Sequence, residues 1–117
     1  MHGLATNAYR ASAARRTQKE QDAEVFRRAN VALRRAVDAD GVTKARAIAD
    51  NSLLWTAVVD LLRDPANPLP PALKGSIISV GLTVQREMAA RAPDFGFLIG
   101  INDQIAAGLG GTSVGGS

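Results

Sequence analysis

The sequence predicts an all-α protein, a small single-domain helical bundle of four to five helices around a central αα-hairpin. Apolar residues recur at helical spacing on both sides of a proline-rich segment, residues 64–71. No stretch shows the apolar–polar alternation of a strand or the turn residues of a β-hairpin. The chain has 117 residues, of which 4% are aromatic, so we expect one domain with a mainly aliphatic core.

The first helix of the hairpin is predicted from a broad apolar arc between residues 48 and 62. The arc contains Ile48, Leu54, Trp55, Val58, Val59, Leu61 and Leu62. Asn51 lies in the same arc, and a buried amide without a partner costs roughly 1–3 kcal/mol. We therefore expect Asn51 to bond the backbone of a neighbouring loop or helix end as a structural pin, with ligand contact as the alternative. Leu53 falls off the arc and is predicted to be exposed or in an interface.

The second helix of the hairpin carries two apolar stripes. The main stripe is Leu73, Ile77, Val80, Gly81, Val84 and Met88, and the second is Ile78, Leu82 and Ala89. Such a helix is central to the fold or presents a second face to a partner. A glycine inside a helix costs about 1 kcal/mol relative to alanine. Gly81 therefore predicts a close approach of the other helix near Trp55.

The segment between these helices contains four prolines within residues 64–71. Each proline lacks an N–H group and moves the preceding residue out of the α region. We therefore predict a stiff loop that folds the two helices back on each other. Asn67 and Pro68 are assigned structural roles in this loop.

Two helices are predicted before the hairpin. A short alanine-rich one spans residues 4–14, either frayed or docked through Leu4 and Tyr9. The residues from Thr17 to Glu20 match a capping box and predict the start of a second, which runs to about residue 39. Its predicted buried side is Ala23, Phe26, Leu33 and Val37, interrupted by Asn30. Thr43 is predicted to cap the next helix, which ends at residue 62 or 63.

A last helix is predicted over residues 95–109. Pro93 ends the preceding helix, and Asp94 can cap the new one. The residues expected to face inward are Leu98, Ile101, Ile105 and Leu109. This helix could dock on the hairpin or detach from it, so it is the predicted movable element. The helical domain then covers residues 1–109, and residues 110–117 are predicted to be a flexible Gly/Ser tail.

The sequence predicts no enzyme, with no catalytic residue, metal site or cofactor. No His, Cys, Asp or Glu cluster has ligand spacing, and no nucleophile has a candidate base. His2 is predicted to be inert, and Asp60 and Asp64 to be solvated. The chain has no cysteine, which excludes disulfides and suits a cytoplasmic location. No apolar run approaches about 18 residues, so membrane insertion is not expected.

Positive charge is concentrated in residues 1–46, which hold ten Lys/Arg against five Asp/Glu. Four arginines form two pairs seven residues apart, Arg27, Arg28, Arg34 and Arg35. Such a helix could bind RNA phosphates or an acidic protein. Stacking aromatics are scarce in this half of the chain, so a solvated basic helix is the preferred interpretation. Direct nucleic-acid binding is not expected.

Several segments carry a family resemblance. They are NSLLW at residues 51–55, DL at 60–61, DPANPLP at 64–70 and IISVG at 77–81. Together with AY at residues 8–9, DF at 94–95, LI at 98–99 and IN at 101–102, they resemble the FlaF family of flagellar biosynthesis regulators. The resemblance spans nearly the whole chain. It departs from the family at the short Gly-rich end, where a longer helix would be expected.

The resemblance implies a cytoplasmic, non-enzymatic factor needed for flagellin production and export. Its implied partners are flagellin and FlbT, a regulator that acts on flagellin mRNA. One hypothesis is a chaperone-like factor that covers amphipathic flagellin helices in an apolar groove. The alternative is a translational regulator of flagellin mRNA that acts through RNA or through FlbT.

The predicted partner-binding residues are apolar side chains that one small core cannot all bury. They are Leu53, Ile78, Leu82, Phe95, Phe97 and Ile99. A second copy of the chain could also cover them, so a homo-oligomer is compatible with the pattern. The residues assigned structural roles are Asn51, Trp55, Asn67, Pro68 and Gly81.

Overall fold

A computed structural model describes residues 2–110, with side chains described for residue 10 and residues 18–109. The chain forms four helices: α1 (His2–Ala36), α2 (Gly41–Arg63), α3 (Pro71–Met88) and α4 (Phe95–Gly110). The described part of the chain contains no strand, which confirms the all-α class. Residues 111–117 of the predicted tail, and the side chains of His2, Leu4 and Tyr9, lie outside the described residues.

The predicted break before Thr17 is wrong, because α1 is one continuous helix of 35 residues. Thr17 to Glu20 lie inside it, and Gln18 instead donates a hydrogen bond to Asp22 one turn later at 2.9 Å. No proline or glycine occurs between residues 4 and 36, so nothing forces the helix to end there. The short helix and the longer one predicted for this region are therefore a single helix.

The C-terminal end of α1 also differs from the prediction. The helix ends at Ala36, about one turn early, so Val37 lies in the turn and is 43% exposed rather than buried. The buried side of α1 is instead Ala23, Phe26, Asn30, Leu33 and Ala36.

The N-cap of α2 is Asp40, three residues before the predicted Thr43. The Asp40 carboxylate accepts a hydrogen bond from the Thr43 backbone N–H at 2.8 Å. This bond to the charged form lowers the pKa of Asp40 below its ordinary value. Thr43 thus receives the cap rather than supplying it, because an aspartate at this position satisfies an N–H group of the first turn.

The predicted αα-hairpin is present, with α2 and α3 packed against each other. In the loop, Asp64 accepts from the Ala66 N–H at 2.9 Å, and Asn67 accepts from the Leu69 N–H at 3.0 Å. The Lys74 ammonium also donates to the Asn67 carbonyl at 2.8 Å. Side chains that bond the backbone two residues later are typical turn formers. Asn67 therefore stabilises the loop through both its side chain and its carbonyl.

The buried face of α2 is narrower than the predicted arc. Its buried residues are Ala47, Asn51, Trp55, Val59 and Leu62. Leu61 is 64% exposed, because it lies about 100° around the helix from Leu62. Leu73, in the first turn of α3, is also exposed, and the first buried residue of that helix is Gly81.

The helix α3 ends at Met88, five residues before Pro93. Residues 89–94 form an irregular connection, in which the Asp94 N–H donates to the Glu87 carboxylate at 2.8 Å. Asp94 then caps α4 as predicted, since its carboxylate accepts from the Phe97 N–H at 3.0 Å.

The last helix is docked, and its most extensive partner is α1 rather than the hairpin. Leu98, Asn102 and Ala106 form its buried line. The predicted inward residues Ile101, Ile105 and Leu109 are only half-buried and pack around this line. A polar residue therefore stands at the centre of the face that α4 presents to the core.

Candidate functional site

An open apolar groove lies where α1 turns into α2 and where residues 89–94 lead into α4. Its volume is ≈ 810 Å³, within the range of about 300–1,000 Å³ typical of binding pockets. It is lined by Val37, Lys44, Ala45, Ile48, Arg91, Ala92, Pro93, Asp94, Phe95, Gly96 and Ile99. A smaller groove of ≈ 230 Å³ lies between α1 and α2, beside Ala29 and Leu54.

The groove exposes part of the core. Ile48, Phe95 and Ile99 are half-buried and pack against the buried cluster, while their remaining surface lines the groove. Val37 contributes because α1 ends one residue before it, and Ala45 contributes a small exposed wall. An apolar occupant would remove this surface from water, and full burial of one large apolar side chain is worth about 1.5–3 kcal/mol.

Three charged residues line the groove, two of them cations. The Lys44 and Arg91 side chains form none of the hydrogen bonds or ion pairs found among the described residues, although the Lys44 backbone N–H donates to the Asp40 carbonyl at 3.0 Å. The anion is Asp94, whose carboxylate caps α4 through the Phe97 N–H. The partial positive charge of a helix N-terminus offsets part of that negative charge. The apolar groove therefore has a cationic margin.

Beneath the groove, one asparagine from each of three helices meets in the core. Asn30 of α1, Asn51 of α2 and Asn102 of α4 all have no exposed surface. The Asn102 amide donates to the Asn51 oxygen at 2.7 Å and to the Asn30 oxygen at 3.0 Å. The Asn51 amide donates to the Met88 sulfur at 3.3 Å, which brings in α3. We call these three residues the asparagine cluster.

Every side-chain nitrogen and oxygen atom of the asparagine cluster has at least one hydrogen-bond partner. The Trp55 indole N–H donates to the Asn102 oxygen at 2.9 Å, and no buried side-chain N or O atom among the described residues lacks a partner. A connected buried network of this kind favours one arrangement of the helices, because any shift leaves polar groups unpaired. The cluster therefore sets the position of α4 relative to α1 and α2.

The cluster also reaches the groove wall. The Asn30 amide donates to the Ile99 carbonyl at 3.0 Å and to the Asp103 carboxylate at 2.8 Å. Asp103 in turn accepts from the Arg34 guanidinium at 2.9 Å. Since the Ile99 side chain lines the groove, the bond to its carbonyl links the buried cluster to the shape of the open site.

The six predicted partner-binding residues do not form one surface. Phe95 and Ile99 line the groove, whereas Phe97 is half-buried against the core and lies outside the lining. Leu53 and Leu82 are 71% and 43% exposed on the hairpin helices, and Ile78 is half-buried. The structure thus separates a groove on α4 from exposed leucines on the hairpin.

Three of the residues assigned structural roles, Asn51, Trp55 and Gly81, are buried in the core. Trp55 is fully buried and packs edge-on against Phe26, with ring centroids 5.7 Å apart. Gly81 faces Trp55 and Val59, and an added Cβ would lie 2.6 Å from the Val59 Cγ2 atom. Asn51 is a structural pin, but its partners are the Asn102 and Met88 side chains instead of a loop backbone.

Sequence reasoning did not identify the role of Asn30 and Asn102, or the place of Lys44 and Arg91 in the groove. A usable indication was present for the asparagines, since each of three helices carries one inside an apolar face. Three such interruptions in one small bundle indicate that they meet. The groove had no comparable indication, because it depends on where α1 and α3 end.

The arginine pairs of α1 lie beside carboxylates. Arg27 and Arg28 lie 3.8 and 3.6 Å from Glu24, and Arg34 lies 2.9 Å from Asp103. These are exposed contacts, which contribute little to stability. They do bring anions next to three of the four arginines that could have met a phosphate backbone.

In the part of the chain that the structure describes, none of the helices combines the length and the apolar composition needed to span a membrane. The same residues contain no group of three or more His, Cys, Asp or Glu side chains placed to hold a metal ion.

The comparisons with known proteins agree with the resemblance drawn from the motifs. The family model described as flagellar protein FlaF matches residues 5–109, which covers all of α2, α3 and the groove. No curated protein and no solved structure matches the chain.

Proposed function

The chain belongs to the FlaF family of flagellar proteins, and from this premise we propose that it binds flagellin and supports its synthesis, export and filament assembly. In this proposal the protein acts in the cytoplasm, has no catalytic activity and covers an apolar helical segment of flagellin before export.

The observation that carries the proposal is the open apolar groove. Its walls are half-buried core residues, Ile48, Phe95 and Ile99, whose exposed surface remains in water in the isolated chain. An amphipathic helix laid into a groove contributes a stripe of apolar side chains at helical spacing. Such a helix would complete the burial that the four-helix bundle leaves unfinished at this end.

The exposed leucines of the hairpin provide a second apolar area. Leu53 and Leu82 lie on α2 and α3 and do not line the groove. They support an additional contact with the client, or with FlbT, outside the groove.

The test is isothermal titration calorimetry of the purified protein with purified monomeric flagellin. Ala45→Gln places a long uncharged amide in the groove, and Ala49→Gln is its matched control. Both alanines are exposed on α2, one turn apart, and only Ala45 lines the groove. We expect Ala45→Gln to weaken binding by about tenfold or more, because an apolar client would face an unpaired amide. Ala49→Gln should bind like the unchanged protein.

Leu53→Asp tests the second area in the same assay, with circular dichroism to establish that each variant is folded. A loss confined to Leu53→Asp would move the flagellin site from the groove to the hairpin. Absence of any flagellin binding by the unchanged protein would overturn the proposed function.

A further inference from the structure

We propose that the groove selects an amphipathic helix that carries carboxylates beside its apolar ridge, with Lys44 and Arg91 as the groups that recognise them. This inference rests on the proposed function, since it assumes that the groove receives a partner helix.

The first support is that the two cations of the groove form no ion pair, unlike three of the four paired arginines of α1. Arg27, Arg28 and Arg34 each lie within 4 Å of a carboxylate of the same chain. The Lys44 and Arg91 side chains have no partner among the described residues, and both residues line the groove. They come from different elements, α2 and the 89–94 connection. Their charges are therefore available to a bound partner.

The second support is that the two carboxylates near the groove are already bonded to backbone N–H groups. Asp94 lines the groove, but its carboxylate is bonded to the Phe97 N–H at the start of α4. Glu87 is bonded to the Asp94 N–H and lies outside the lining. Neither carboxylate forms an ion pair with Lys44 or Arg91. The groove therefore presents apolar surface, two cations that form no ion pair, and one carboxylate that is bonded at the start of a helix.

The two cations make the groove selective for the charge of the helix that it binds. A partner helix without carboxylates would place its polar flank beside Lys44 and Arg91 without offering either cation an ion pair. A partner with lysine at the same positions would add like-charge repulsion. Complementary charge thus fixes which apolar helix binds and in which orientation, while the apolar contact provides most of the affinity.

The experiment uses three synthetic helical peptides of 18 or so residues with one shared leucine ridge. The positions that flank the ridge carry glutamate, glutamine or lysine. Binding is measured by calorimetry at low salt. We expect the glutamate peptide to bind most tightly and the lysine peptide least, with about three- to tenfold between glutamate and glutamine for two exposed ion pairs.

The double variant Lys44→Glu/Arg91→Glu should reverse this order and favour the lysine peptide. The matched control is Arg46→Glu/Arg63→Glu, which changes the net charge by the same amount. Both control residues are exposed on α2, and neither lines the groove. This control should keep the glutamate peptide first.

The outcomes separate this inference from the proposed function. Equal binding of the glutamate and glutamine peptides would overturn the selectivity and leave flagellin capture intact. The same reversal in both double variants would show an effect of net charge alone and would also overturn it. If sedimentation shows that the free protein is a dimer that Ala45→Gln dissociates, the groove belongs to a second copy of this chain and the inference fails.

Discussion

The Trp55 indole N–H donates to the Asn102 side-chain oxygen at 2.9 Å, and both side chains are fully buried. This bond joins the largest core side chain of α2 to the middle of α4. Because Asn102 also donates to Asn30 and Asn51, a single amide holds three helices in register. The orientation of the groove wall on α4 therefore depends on a polar contact inside an otherwise apolar core.

Asn102→Ala should be strongly destabilising. It leaves the Trp55 N–H and the oxygens of Asn30 and Asn51 without their partner, and each buried unpaired group costs roughly 1–3 kcal/mol. We expect urea denaturation to show a loss of at least about 3 kcal/mol. Gln104→Ala, at an exposed position of α4, should stay within about 0.5 kcal/mol. A loss below about 1 kcal/mol for Asn102→Ala would show that the cluster does not fix α4.

Trp55→Phe removes the indole N–H together with part of the ring volume, while it keeps an aromatic ring at this position. The Asn102 oxygen loses its donor, so we expect a loss of stability of about 1–3 kcal/mol or more. Trp55→Ala also removes the packing against Phe26 and should cost roughly 3–5 kcal/mol. Both values come from urea denaturation. Native fluorescence matching that of free tryptophan in water would contradict the burial of Trp55.

Gly81→Ala and Gly75→Ala should have opposite effects although both lie inside α3. A Cβ at Gly81 would meet Val59 Cγ2 at 2.6 Å and Trp55 Cε3 at 3.2 Å, whereas one at Gly75 meets nothing within 4 Å. Valine is stiff at χ1 and cannot easily move aside. We expect Gly81→Ala to lower the free energy of unfolding by at least about 1 kcal/mol through overpacking, although alanine has a better helix propensity than glycine.

The control Gly75→Ala should raise the free energy of unfolding by about 0.5–1 kcal/mol. Val59→Ala combined with Gly81→Ala should lose less stability than the sum of the two single variants, because the shorter side chain relieves the clash. Equal thermal shifts for the two glycine variants would contradict the close approach of α2 and α3.

Asp40→Ala should lower stability in a pH-dependent way. The Thr43 N–H stabilises the charged carboxylate and lowers the pKa of Asp40. A lowered folded-state pKa gives stability that is present above the unfolded-state value and is lost as the pH falls through the folded-state value. The difference in the free energy of unfolding between Asp40→Ala and the unchanged protein should therefore be largest at pH 7 and shrink below about pH 4.

The measurement for Asp40 is thermal unfolding between pH 2.5 and 7. Asp38→Ala is the control, because Asp38 is exposed and makes no described hydrogen bond. A pH-independent difference would show that Asp40 does not cap α2 through its charged form.

The hairpin could be predicted because its local chemistry and its packing agree. Prolines follow the end of α2 and stand at the start of α3, and Gly81 in an apolar stripe requires a close neighbour. The predicted helix start at Thr17 was wrong because Thr17 and Glu20 are also acceptable inside a helix. No residue there prevents the helix from continuing. Local propensity alone does not decide such a case.

The asparagine cluster and the groove depend on contacts between residues far apart in the chain. Asn30 and Asn102 are 72 residues apart, and their pairing follows from the packing of α4 on α1. The groove exists because α1 ends at Ala36 and α3 at Met88, and helix ends are the least predictable part of a helix. Phe95 and Ile99 were predicted to bind a partner, and both line the groove because they lie off the buried line of α4.

Flagellin binding should be insensitive to the arginine pairs of α1 and should resist moderate salt. Arg28 and Arg35 do not line the large groove, and Arg28 lies beside Glu24, so Arg28→Ala/Arg35→Ala should change flagellin affinity little. Apolar capture should also give a negative heat-capacity change. By contrast, contacts with RNA phosphates weaken steeply with salt, because bound counterions are released.

Leu82→Asp, at an exposed site, tests the hairpin area without burying a charge, whereas Phe97 is too buried for the same change. Calorimetry with flagellin at 50 and about 300 mM salt compares these variants with the unchanged protein. Binding that is lost with salt and with the arginine changes, yet indifferent to Ala45→Gln and Leu82→Asp, would favour regulation through RNA over flagellin capture.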